Sequence, residues 1–108
     1  MPVAANSFVL TRGKPKAYRR TGASGVESTY WFCSDCGGRA YGQRDVRPDV
    51  IIVRAGTLDD TSWVRPVAHT YLGSAQPWEL TPAGECFDVL PSDFRPLAEK
   101  WQRLWQDE

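Results

Sequence analysis

The sequence has few metal-ligating side chains: three cysteines and a single histidine in 108 residues. The odd cysteine count, without an apolar h-region behind a charged n-region, argues against a disulfide framework and for a reducing compartment. A cytoplasmic location is therefore expected. Net charge is absent as well, since 13 basic residues balance 13 acidic ones. Nucleic-acid binders carry a basic excess, so no nucleic-acid partner is expected. No apolar run approaches the roughly 18 residues of a membrane span, so no membrane partner is expected either. The length suits one domain, 1–108.

Aromatic and turn-forming residues are plentiful: five Trp, four Tyr, four Phe, nine Gly and eight Pro. Short strands joined by tight turns, with aromatics filling a small core, account for both excesses. Residues 1–6 read as a frayed start, and Phe8 to Thr11 as a strand. A turn at Arg12–Pro15 precedes another strand at Ala17–Arg20. Glu27 to Phe32 alternates with the period of a strand. Arg39 to Gly42 reads as the strand returning from a hairpin. Val50–Ile51–Ile52–Val53, apolar and β-branched, reads as a buried central strand. Pro66 to Leu72 is a further strand candidate, and Thr81 to Val89 is irregular. Phe94, Leu97, Trp101, Leu104 and Trp105 form one apolar stripe, which predicts a helix over 93–107 with Asp93 at its N-cap. Such a stripe packs on the sheet or seeds a dimer.

Phe32-Cys33-Ser34-Asp35-Cys36-Gly37-Gly38 carries the main chemical signal. Cysteines spaced C-x-x-C on a tight turn point both sulfurs at one spot, and glycines after them let backbone N–H groups approach. Soft thiolates so placed suit tetrahedral Zn²⁺. Cys33 and Cys36 are thus the candidate metal ligands, for a structural zinc. A second C-x-x-C is absent, so this knuckle is half a site.

Other candidates each carry two readings. Arg12, Lys14, Lys16, Arg19 and Arg20 form either a solvated hairpin face or an anion contact. Asp59 and Asp60 suit a turn and cap before Thr61–Trp63, or an acid pair. His69 is a core histidine or a ligand. Trp78 packs or walls a pocket. Cys86 is a small buried apolar group or a third thiolate.

The order of the knuckle, Pro48-Asp49-x-Ile51, Ala55-Gly56-Thr57-Leu58-Asp59-Asp60, Pro66 through His69, and Pro77-Trp78 resembles the glutathione-dependent formaldehyde-activating enzyme family, also called the centromere protein V type. The resemblance runs from about Ser7 to about Phe87. It implies a mainly β fold, a β-tent of stacked antiparallel sheets, here with a C-terminal helix. It also implies zinc, glutathione or another thiol adduct as partner, and a carbon–sulfur lyase activity of the S-(hydroxymethyl)glutathione synthase type. Cys33 and Cys36 match the middle pair of the family's structural zinc site. The family's N-terminal C-x-C and C-x-C-x-x-C ligands have no counterpart, so its catalytic residues cannot be carried over. The expectation is a shortened relative, a gene start placed too late, or ligands supplied by another polypeptide. The alternative function is a non-catalytic, zinc-stabilised homo-oligomeric binding domain, a homodimer in which two chains give Cys33 and Cys36 to one shared zinc.

Overall fold

The computed structural model describes residues 1–79 and 85–106. It divides into two compact units, Met1–Trp63 and Val64–Glu108.

The first unit is one antiparallel sheet of β1 (Pro2–Ala4), β2 (Lys16–Thr21), β3 (Glu27–Phe32), β4 (Arg39–Arg44) and β5 (Val50–Val53), in the order β1-β5-β4-β3-β2. The β2–β3 hairpin closes through Gly22–Val26. Gly25 takes φ +82°, a left-handed conformation that costs glycine nothing. Tyr18 lies opposite Tyr30, and Tyr30 opposite Gly42. A Cβ at Gly42 would stand 2.8 Å from the Tyr30 ring, so only glycine leaves that ring room to lie across the neighbouring strand.

Between Trp31 and Phe32 the register shifts. Trp31 pairs with Tyr41 but Phe32 pairs with Arg39, so Ala40 is an extra residue, a β-bulge. On one face Tyr41 stacks on Trp31 (ring centroids 4.9 Å apart) and meets Phe8 at 4.6 Å. Burial raises the pKa of the Tyr41 phenol. Thr29, Gly42 and Ile51 are the buried residues of this sheet. The Thr29 hydroxyl accepts a hydrogen bond from Arg19 at 2.8 Å, so its burial leaves no polar group unsatisfied.

The expected strands around Ala17–Arg20, Glu27–Phe32, Arg39–Gly42 and Val50–Val53 are all present. Two expectations at the chain start are reversed. Residues 2–4 are not frayed: they form β1, paired on β5 with Val3 opposite Ile51, and Met1 and Val53 exchange backbone bonds of 2.8 and 3.0 Å. Phe8 to Thr11 forms no strand; its amides find no ladder, and Val9 is 76% exposed. Val50–Val53 is an interior strand, as expected, but not a fully buried one. It lies between β1 and β4, and only Ile51 is buried while Ile52 is exposed, the alternation of a one-sided antiparallel sheet.

In the second unit, β6 (Ala68–His69) pairs in parallel with β7 (Glu85–Cys86). The expected longer strand at Pro66–Leu72 shrinks to these two residues. Tyr71 adopts φ +59° and starts a 3₁₀ turn at Leu72–Ser74, which ends the extended run. The backbone N–H groups of Tyr71, Leu72 and Gly73 donate to the carbonyls of Val89, Phe87 and Asp88 at 2.7–3.1 Å. Part of the expected irregular stretch 81–89, residues 81–84, lies outside the described residues.

Helix α1 covers Arg95–Gln106, inside the expected 93–107; residue 107 lies outside the described ones. Asp93 accepts the Arg95 backbone N–H at 3.0 Å and pairs with its guanidinium, the capping role expected of it. Among the described residues, Leu97 is the buried member of the stripe. Phe94 is exposed, because it precedes the first turn. The fold is thus mainly β with a C-terminal helix. The small second ladder is parallel, where antiparallel pairing was expected.

Candidate functional site

The knuckle is a closed turn between β3 and β4. The Cys33 N–H donates to the Gly38 carbonyl at 2.8 Å, and the Gly37 N–H donates to the Cys33 carbonyl at 2.9 Å. Gly37 has φ +75°, which favours glycine there. The Gly38 N–H donates to the Cys36 sulfur at 3.4 Å, and a Cβ on Gly38 would stand 3.3 Å from that sulfur. Gly38 therefore brings its N–H to a sulfur as the sequence pattern predicts, whereas Gly37 serves the turn, its N–H going to the Cys33 carbonyl.

The Cys36 thiol lies near enough to Cys33 to favour its thiolate form. The backbone N–H groups of Cys36 and Asp35 and the Cys36 thiol favour the Cys33 thiolate, in that order of importance. Together these donors hold its pKa below the ordinary thiol value, against the nearby Asp35 charge. Both cysteines are exposed and neither is in a disulfide. As a donor set, two converging thiols fit one half of a tetrahedral zinc site. No group of three or more His, Cys, Asp and Glu gathers among the described residues.

His69 and Cys86 stand opposite each other across the β6–β7 ladder, in the second unit. Cys86 is exposed, not buried as an apolar filler would be, because β7 lies at the edge of a two-stranded ladder. Trp78 is 75% exposed and does not serve as core packing. Asp60 accepts from both the backbone N–H (2.9 Å) and hydroxyl (2.6 Å) of Ser62, the expected turn role; the turn does not continue into a helix. Within the basic hairpin, Arg19 pairs with Glu27 at 2.9 Å and Asp45 at 2.6 Å, so its charge is used within the sheet.

One feature of the site was not anticipated from sequence. Beside the knuckle, Tyr18, Tyr30, Phe32, Gly37 and Arg39 line an open recess of about 240 Å³. The Arg39 guanidinium lies 4.5 Å from the centroid of the Tyr30 ring. The period-2 placement of Tyr30 and Phe32 on one face of β3 was the available signal; the bulge that brings Arg39 opposite Phe32 was not readable.

The family model described as glutathione-dependent formaldehyde-activating enzyme matches residues 1–74. The chain belongs to that family. The matched stretch holds the knuckle, the recess and His69, and Cys86 lies beyond it. The family is tied by its description to glutathione and formaldehyde. No curated protein and no solved structure matches the chain. No helix among the described residues is long and apolar enough to cross a membrane.

Proposed function

We propose that the chain is a zinc-binding member of its family that acts on a thiol–formaldehyde adduct of the glutathione type, as a carbon–sulfur lyase. The observation that carries this is the pair of converging thiols, Cys33 and Cys36, inside the stretch that the family model matches. Zinc held by this pair would brace the turn as a structural site; the Lewis acid that stabilises a thiolate beside an electrophilic carbon would need further ligands beyond Cys33 and Cys36. The chain's own residues supply the rest: a turn closed by two backbone bonds, a backbone N–H on the Cys36 sulfur, and a Cys33 thiol biased towards the thiolate that a metal needs. A cytoplasmic location belongs to this reading.

A second reading is favoured by the lack of a third ligand grouped with the pair among the described residues. In it the domain is non-catalytic, and two chains share one Cys₄ zinc across a two-fold axis as a homodimer. Elemental analysis, oligomeric mass and a formaldehyde-plus-glutathione assay with added Zn²⁺ separate the two. Turnover above the spontaneous rate, with about one zinc per chain, supports the enzyme. About half a zinc per chain in a dimer without turnover supports the shared site. Zinc content unchanged in the Cys33→Ser/Cys36→Ser double variant would overturn both.

A further inference from the structure

Among the described residues, most of the cations with a resolved side-chain partner spend their charge on a carboxylate. Arg19 pairs with Glu27 and Asp45, Arg47 with Asp49, Arg95 with Asp93, and Lys100 with Glu85. Arg39 is held differently. Its guanidinium rests against the face of Tyr30 and takes part in no ion pair or side-chain hydrogen bond among the described residues. A ring face fixes the guanidinium plane and leaves its N–H donors unspent. Arg39 lines a recess together with Tyr18, Tyr30 and Phe32, and Gly37 adds a wall without a side chain.

A fixed, unpaired guanidinium over an aromatic-walled recess matches one kind of ligand: an anion with paired oxygens on a flat apolar body. We propose that this recess is a binding site for a carboxylate carried on such a body. Arg39 takes the carboxylate through its planar fork, and the rings of Tyr18 and Phe32 flank the apolar part. At about 240 Å³ the recess is smaller than the usual ligand pocket. The ligand is therefore a small free acid or the carboxylate end of a peptide. The recess touches the knuckle through Gly37, but neither cysteine lines it.

The test is an amide NMR titration of the full chain with benzoate, benzamide and acetate, and with a short peptide ending in phenylalanine as the free acid or the amide. Benzoate is expected to bind in the millimolar range and to shift Tyr30, Phe32, Gly37 and Arg39. Benzamide, lacking the charge, and acetate, lacking the ring, are expected to bind at least about tenfold more weakly. Tighter binding of the peptide acid than of benzoate would identify the peptide terminus as the source; the reverse would identify a free acid. Arg39→Gln is expected to abolish benzoate binding. Arg39→Lys, which keeps the charge but not the fork, is expected to lower it about tenfold while the other resonances stay in place. Equal binding of benzoate and benzamide, shifts mapping elsewhere, or unchanged benzoate affinity in Arg39→Lys would overturn the proposal. Zinc content is measured on the same samples, so failure of the recess and failure of the zinc reading are distinct results.

Discussion

In residues 1–63 five strands share one antiparallel ladder, and side chains alternate between two distinct faces. In residues 64–108 the ladder among the described residues is two residues long, and backbone bonds between a turn at 71–73 and the segment 87–89 do much of the holding. The first unit draws its order from cross-strand side-chain pairs, each of which depends on a register set many residues away. The second draws its order from backbone bonds between short segments and one amphipathic helix. The family model covers all of the first unit and stops at residue 74, just inside the second. The long ladder lies wholly inside the matched stretch, and the candidate thiols sit where that ladder turns through the knuckle.

The comparison can be broken by substitutions that act on one unit only. The largest effect is expected from Tyr41→Ala, which removes the ring between Phe8 and Trp31. A loss of about 3 kcal/mol in denaturant unfolding should come with faster hydrogen exchange across β3, β4 and β5. Equal acceleration in 95–106 would show that the two units unfold as one. Leu97→Ala is the mirror experiment, expected to cost about 2 kcal/mol and to raise exchange in the helix first.

Gly42→Ala is next, at about 1–2 kcal/mol, because its Cβ drives the Tyr30 ring off its seat. Loss of benzoate-induced shifts in this variant would tie that ring to the recess.

A smaller, purely chemical difference is expected at Cys33. With metal chelated, its alkylation by iodoacetamide should reach half-maximal rate at a pH below the ordinary thiol range, and the backbone donors to its sulfur set that shift. An ordinary thiol profile would mean that the knuckle opens in solution.

The smallest effect concerns exposed carboxylates. Asp49, Asp60 and Asp93 are held below their ordinary 3.8 by Arg47, Ser62 and Arg95 respectively. Each ionises more readily folded than unfolded. Each therefore favours the folded state above about pH 4 and loses that preference as pH falls through its lower folded value. Thermal melts at pH 5 and pH 3 should show a modest drop, removed in part by Asp93→Asn. A melt that rises towards low pH would contradict the sign.

Where one element carries its own pattern, the structure was readable. The alternation of Glu27 to Phe32, the C-x-x-C-G-G turn and the Leu97–Trp101–Leu104 stripe each encode their element locally, and each is present. What was not readable depends on distant partners. Pro2–Ala4 has no strand signature, and it is a strand because β5 offers a free edge. Phe8–Val9–Leu10 has a strand-like composition but pairs with no strand. The His69–Cys86 pairing depends on a parallel ladder too short to leave a period. The recess needs Tyr18, Tyr30 and Arg39 from three strands, and the residue that completes it is placed by an irregularity.

That irregularity sets a rule of parity for the segment between the second cysteine and the returning strand. With Ala40 as the spare residue, Arg39 falls on the Tyr30 side of the sheet. A chain of equal length with a regular ladder would set Ala40 across from Phe32 and send the guanidinium to the opposite surface. Relatives that gain or lose one residue here would keep their thiols while changing the charge that an approaching molecule meets first.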